Sequence, residues 1–242
     1  RRIAEKAGLE PGHDVLEIGC GWGGFAEYAA AELGCTVTGI TISEAQAEYA
    51  RERIRRAGLE DRVSIEVRDY RADHGRFDRV VSIEMLEAVG HAYLADFFEA
   101  VDRALVPGGR AAVQVITMPD DRYFRYRLRP DYIQRFIFPG AHLPSLGAMT
   151  KAMRKRTCLA IGGAEDIALS YARTLRAWRE RFLARTDEVK RLGFDDAFVR
   201  RWEYYFAYCE AAFRTRYIAN FQLVLGRAHE VEALPPALEG AA

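Results

Sequence analysis

The chain has 242 residues, half of them hydrophobic, with 35 Lys and Arg balanced by 35 Asp and Glu. That size and apolar content suit one large domain, and a formal charge of zero gives no electrostatic case for a nucleic-acid partner. Four cysteines, Cys20, Cys35, Cys158 and Cys209, match neither a zinc pattern nor a disulfide framework, so a reducing cytoplasmic setting without a bound metal is expected.

The pattern Arg1-Arg2-Ile3 is already helical, which suggests a native segment ahead of it. Val15 to Ile18 reads as a first strand, followed by a glycine-rich turn and a helix from Phe25 to Leu33. A second strand spans Cys35 to Ile40, and Ser43 caps a helix through Ala57. Arg62 to Val67 and Phe77 to Ile83 are the third and fourth strands. A helix from His91 to Leu105 stops at Pro107-Gly108-Gly109, and Arg110 to Ile116 is the fifth strand. This alternation predicts an α/β, Rossmann-like, mostly parallel seven-stranded sheet with helices on both faces. Met118 to Arg156, rich in Arg, Tyr, Phe and Pro, is expected to be a helical insertion over the sheet's ligand edge. Cys158 to Leu169 returns to the sheet, Tyr171 to Leu192 and Asp195 to Thr215 are aromatic-rich helices, and Ile218 to Leu225 is the last strand. Residues 1–229 thus form one domain with 118–156 inserted in it, and 230–242 form a frayed tail.

The run Glu17-Ile18-Gly19-Cys20-Gly21-Trp22-Gly23-Gly24 follows a strand and opens a helix. Glycines there let the backbone turn sharply and approach a ligand. A dinucleotide site would carry a different third glycine and an acid after the second strand. The Glu-x-Gly-x-Gly-x-Gly spacing is similar to that of S-adenosylmethionine (SAM)-dependent methyltransferases. Thr41, Ile42 and Gln46 stand past the second strand, where ribose and methionine contacts fall. Asp69, Tyr70 and Arg71 follow the third strand, where an acid can accept from the adenine amino group and an aromatic can pack its ring. Ile83 completes the expected cofactor set; for Tyr70, plain edge packing is the alternative.

Later motifs carry a more specific resemblance. They are Gly39 to Gln46, Val81-Ser82-Ile83-Glu84-Met85-Leu86-Glu87-Ala88-Val89-Gly90, Tyr132 to Leu146 with its Phe-Pro-Gly and Leu-Pro-Ser, Tyr171 to Trp178, and Tyr208 to Arg214. From about Leu9 to Arg227 the chain resembles the cyclopropane-fatty-acyl-phospholipid synthases and mycolic acid cyclopropane synthases. The resemblance implies methyl transfer from SAM to a cis double bond of a phospholipid acyl chain at the membrane surface, a carbocation, and proton loss that closes a cyclopropane. Aromatic faces would stabilise such a cation, and Tyr171, Trp178, Tyr204, Tyr205, Phe213 and Tyr217 are candidate walls, although most could be core. No apolar run reaches the length of a membrane span, so lipid would be met peripherally. A homodimer is an assembly the resemblance allows.

The resemblance also implies a bound bicarbonate as base, held by Glu87, Tyr171, a histidine and an N-terminal cysteine. The histidine position holds Gln114, the cysteine would lie before Arg1, and a family glycine is replaced by Glu84. Glu84 could occupy the space and charge of the bicarbonate, with Gln114 donating to it, and act as a built-in general base; capping a helix or holding the methionine end of SAM is the alternative. Burial beside a second carboxylate should raise one pKa of the Glu84–Glu87 pair. Cys209 matches a cysteine once proposed as a family nucleophile, and a small buried apolar role is the alternative. Two basic clusters, Arg122, Arg125, Arg127, Arg129 and Lys151, Arg154, Lys155, Arg156, read as solvated helix faces or as docks for anionic headgroups. Competing functions are lipid methylation giving a methylene or methyl branch, a small-molecule methyltransferase with a His or Lys base, for which His91 is the nearest candidate, and a non-catalytic SAM-binding or membrane-binding module.

Overall fold

In the computed structural model, residues 1–227 are described; the expected tail 230–242 lies outside them. Seven strands form one sheet in the order β3-β2-β1-β4-β5-β7-β6. They are β1 (Asp14–Ile18), β2 (Thr36–Thr41), β3 (Val63–Val67), β4 (Phe77–Ile83), β5 (Leu105–Thr117), β6 (Leu159–Asp166) and β7 (Ala219–Arg227). All neighbours pair parallel except those of β7, which runs against both β5 and β6.

Alternation along the strands divides the core into two layers. One face takes Leu16, Ile18, Val80, Val113 and Val115 and is covered by α4 (Leu94–Ala104) and α7 (Leu146–Arg156). The opposite face takes Val15, Val37, Val81 and Ala112 and is covered by α1 (Arg2–Ala7), α2 (Gly24–Leu33) and α3 (Glu44–Arg56). The helices of this second face approach through alanines, Ala26, Ala29, Ala30, Ala47 and Ala50, which lets them lie close on the strands. A third cluster, with Met118, Tyr123, Leu175, Phe206 and Phe213, joins α5 (Asp120–Arg127), α8 (Ala168–Leu183) and α10 (Asp196–Arg214) beside the carboxyl end of β5.

Three elements depart from the sequence expectations. The segment 118–156 divides: α5 and α6 (Tyr132–Phe136) belong with the cover, whereas α7 packs Met149 and Met153, both buried, into the sheet core. The helix expected from His91 begins as a 3-10 turn, His91–Tyr93, and gives way to β5 at Leu105, which pairs with Phe77 before the register slips. Gly108 (φ 73°) shapes the resulting bulge. The helix expected from Tyr171 to Leu192 begins at Ala168, breaks after Leu183 and resumes as α9 (Thr186–Arg191); Phe182 packs on Phe206 before the break, and Leu192 is exposed after it.

Candidate active site

The carboxyl ends of β1, β2 and β3 build one half of the site. After Ile18 the chain turns at Gly19 (φ 81°), where an added Cβ would lie 2.6 Å from Met85 Cγ. Gly21 (φ 52°) has nothing within 4 Å of where a Cβ would stand, so a ligand can approach the backbone there. Gly23 precedes α2 and Gly24 opens it. Glu17 is buried beneath this loop; its carboxylate accepts the Ala26 N–H, and burial raises its pKa well above the usual carboxylate range. Among the described residues, its Oε2 has no hydrogen-bond partner. Glu17 therefore braces the loop and the start of α2 from below.

Thr41 Oγ1 donates to Gln46 Oε1 (2.8 Å) and accepts the Ser43 N–H (3.2 Å), tying the end of β2 to the capped start of α3; Ile42 between them is exposed. Asp69 accepts two bonds from the Arg71 guanidinium (2.6 and 2.9 Å) and one from its N–H (2.9 Å), and the Arg71 hydrogen bonds hold its pKa down at about 2. Tyr70 meets Phe97 edge-on at 5.9 Å. An adenine amino group would thus meet Asp69 in competition with Arg71. Ile83 ends β4, at the boundary of the two halves. These features fit SAM: an open glycine loop, a hydroxyl–amide pair after β2 and an ionised acid after β3.

The other half is polar at its floor and aromatic above. The Glu84 N–H still donates to the Gln114 carbonyl (2.9 Å), and the residue then turns with φ 52°. Its Oε1 accepts from Gln114 Nε2 (2.9 Å) and Asn220 Nδ2 (2.9 Å), and its Oε2 accepts from the Tyr171 hydroxyl (2.6 Å). Gln222 Nε2 donates in turn to Gln114 Oε1 (2.8 Å), which fixes the orientation of the Gln114 amide. Burial, and then the Glu84 charge, raise the pKa of Tyr171, so its hydroxyl stays protonated as a donor.

Glu87 lies one turn away and is buried. Its Oε1 accepts the Ile116 N–H (2.6 Å), and among the described residues its Oε2 has no hydrogen-bond partner. Burial, and then the Glu84 charge, push its pKa up to about 8. The structure thus joins four of the five expected catalytic positions, Glu84, Glu87, Gln114 and Tyr171. Cys209 sits beside them on α10, and burial pushes its thiol up to about 12, which disfavours the thiolate a nucleophile needs.

Of the expected aromatic walls, Tyr171 packs against Phe213 (5.0 Å between ring centres) and Trp178 (6.1 Å), and Tyr205 stands near Glu84, whose charge helps raise its pKa after burial. Tyr204 and Tyr217 are about half exposed and turn elsewhere, Tyr204 to Tyr132 (4.6 Å) and Tyr217 to Arg122. His91 shares the Tyr123 hydroxyl (2.7 Å) with His142 (2.9 Å), and the His142 N–H donates to the Glu87 carbonyl (2.7 Å). Desolvation, reinforced by His91, drives the His142 pKa down to about 4. Asn220, Gln222, His142 and the Ile116 N–H were not singled out from the sequence. Asn220 and Gln222 carry a signal that could have found them: two amides at alternate positions of an otherwise apolar strand.

Residues 1–223 match the family described as Mycolic acid cyclopropane synthetase. The chain belongs to that family. It is 44% identical over 226 residues to the Tuberculostearic acid methyltransferase UfaA1 of Mycobacterium tuberculosis, covering 93% of this chain and 53% of that protein. It is 36% identical over 230 residues to the Cyclopropane-fatty-acyl-phospholipid synthase of Escherichia coli K12, covering 95% of this chain and 57% of that protein. The chain therefore spans about half the length of the curated relatives it matches. Among solved structures, the cyclopropane synthase MmaA2 of M. tuberculosis superposes with a TM-score of 0.84 at 27% identity, over 93% of this chain and 81% of that one. The mycolic acid cyclopropane synthase CmaA1, complexed with SAH and CTAB, gives 0.84 at 25% identity, over 93% and 82%. The family and these neighbours are SAM-dependent methyltransferases, and the seven-stranded sheet is the class I fold of such enzymes. Among the described residues no helix is long and apolar enough to cross a membrane.

Proposed function

We propose that this protein methylates a cis double bond of an unsaturated lipid acyl chain, with Glu84 as the resident base, and that the main product carries a methylene branch. The observation that carries the reading is the Glu84 carboxylate, set in a left-handed turn at the end of β4 and held by Gln114, Asn220 and Tyr171. Gly19, Gly21, Thr41, Gln46 and Asp69 would hold SAM, which supplies an electrophilic methyl and, on transfer to the alkene, leaves a cation on the neighbouring chain carbon.

Two outcomes follow from that cation, and both end with a proton leaving the transferred methyl. Immediate loss to Glu84 closes a cyclopropane. If a hydride first moves from the methylated carbon to its neighbour, the cation becomes tertiary, and loss of a proton from the same methyl group forms a methylene (C=CH2) branch on the open chain. Timing decides between them. Three of the roughly four lone-pair sites of the Glu84 carboxylate are taken, so only one on Oε2 can receive the proton, and waiting for that alignment gives the hydride shift time. Tyr171 and Phe213 would shield the cation meanwhile. The name of the UfaA1 relative supports branching, and that of the E. coli relative supports the ring, which is the second reading. A small-molecule reading has less support, since the nearest histidines, His91 and His142, are occupied with Tyr123. Peripheral contact with a membrane surface belongs to the same proposal.

Proton NMR of lipid extracted after reaction separates vinylic protons from the high-field ring signal. Vinylic protons are expected to dominate, and Glu84→Gln is expected to lose most activity, whereas Glu84→Gly, which vacates the space, is expected to regain part of it when bicarbonate is added. Full activity of Glu84→Gln without bicarbonate would remove the base assignment.

A further inference from the structure

Two buried amides on β7, Asn220 and Gln222, stand at alternate positions and share one face with their antiparallel partners Ile116 and Gln114. Both turn their N–H groups toward the base. Asn220 Nδ2 donates to Glu84 Oε1 (2.9 Å), and Gln222 Nε2 donates to Gln114 Oε1 (2.8 Å), whose own amide donates to that same Glu84 oxygen (2.9 Å). Among the described residues, Asn220 Oδ1 and Gln222 Oε1 have no hydrogen-bond partner. Exchanging the oxygen and nitrogen of the Asn220 amide would set Oδ1 against the carboxylate, so the Glu84 contact fixes its orientation. A buried carbonyl without a partner is unfavourable, and an apolar side chain at either position would avoid it. Stability of the fold therefore does not account for these amides; their donors do.

The Asn220 backbone has a separate task. Its carbonyl accepts the Ile167 N–H (2.8 Å), and the Ile167 carbonyl accepts the Tyr171 N–H (3.0 Å), which seats the first turn of α8. A side-chain substitution leaves that link in place and changes only the grip on Glu84. Oε1 takes two of the three donors, so loss of the Asn220 amide leaves one on each oxygen. A donor aimed at an ionised carboxylate stabilises it and lowers its proton affinity. Without that donor, a second lone pair is freed and the group becomes a stronger base that can turn.

We infer that Asn220 is a positioning residue that selects the product, delaying proton transfer to Glu84 long enough for the hydride to move. The inference rests on the reading above. In either branch a C–H bond of the transferred methyl breaks, its electron pair stays on carbon to close the ring or the C=C bond, and the proton goes to Glu84. Only the order of proton and hydride movement differs. After reaction of SAM with dioleoylphosphatidylglycerol vesicles, proton NMR gives the ring-to-methylene ratio, which does not depend on how much of the enzyme is folded. Asn220→Leu is expected to raise that ratio about three- to tenfold. Asn220→Ser, whose hydroxyl ends one bond short of Nδ2, is expected to shift it in the same direction. Gln222→Leu, which reaches Glu84 only through Gln114, is expected to shift it less. In the wild type, SAM carrying a trideuterated methyl slows proton loss and is expected to lower the ratio. An unchanged ratio in both Asn220 variants, an equal shift in Gln222→Leu, or a wild-type ratio indifferent to deuteration overturns the inference and leaves lipid methylation at this site standing. A wild type that forms only the ring, or no methylated lipid, overturns the product reading itself and the inference with it.

Discussion

Glu84 holds two opposed contributions in one side chain. A residue with a β-carbon in the left-handed region costs about 1–2 kcal/mol relative to glycine, and its φ is 52°. The hydrogen bonds from Gln114, Asn220 and Tyr171 offset that cost. Glu84→Ala loses the bonds and keeps the strain, whereas Glu84→Gly loses the bonds and relieves it. Chemical denaturation is therefore expected to find Glu84→Gly more stable than Glu84→Ala by about 1–2 kcal/mol, the reverse of the usual order of these residues. An equal or inverted pair would show that the turn carries no strain. At Gly19 the demand is steric as well as conformational, since Met85 occupies the place of a Cβ. Gly19→Ala is expected to destabilise by about 2–4 kcal/mol and to weaken SAM binding together with stability.

At the scale of elements, α8 and α10 are clamped through Glu210. Its buried carboxylate faces Arg176 (2.9 Å), Arg179 (3.6 Å) and Arg214 (3.4 Å), whose side chains are a third to over a half exposed. Because these arginines can return to water, Glu210→Gln should cost less than breaking a fully buried pair, about 1–3 kcal/mol. Since α8 carries Tyr171, the same variant should lower activity by more than its stability loss explains, measured well below its melting temperature. The elements themselves were legible to different degrees. The first four strands and α1 to α3 are short apolar runs and a capped amphipathic helix bounded by glycine, and local signals suffice for these. The onset of β5 was not legible, because a Pro-Gly-Gly run reads as a stop and only pairing with Phe77 makes it strand. Nor was the role of α7, whose Met149 and Met153 stripe fits a surface insertion as well as a core. In the site, the motifs located Glu84, Glu87, Gln114 and Tyr171. Asn220 was missed because an amide in a strand says nothing of its partner until β7 is known to run antiparallel beside β5.

Across the whole molecule, a buried carboxyl and a half-buried imidazole give stability opposite slopes with pH. Glu87 holds its proton to about 8 in the fold, against 4.5 ordinarily. Between those values the native state binds more protons than the unfolded chain, so its contribution is full below about 4.5 and is lost as pH rises through 8. His142 titrates at about 4 instead of 6.5. There the unfolded chain binds more protons, so stability falls as pH drops through that window. The two slopes oppose each other between about 4.5 and 6.5; above that the Glu87 loss remains, in the same direction as that of buried Glu17. The melting temperature is expected to fall from pH 6.5 to 8.5 in the wild type and to stay flatter in Glu87→Gln. Parallel profiles for the two proteins would mean that Glu87 is already ionised at neutral pH.

The left-handed turn after β4 also has a genetic corollary. A single A-to-G transition converts either glutamate codon to one for glycine, the residue that backbone accommodates most easily. A mutant library screened only for survival of heating should tolerate that change at position 84 better than other substitutions there, while one screened for the product lipid should purge it. Sequencing both pools would show whether the acid is kept for its chemistry or merely tolerated.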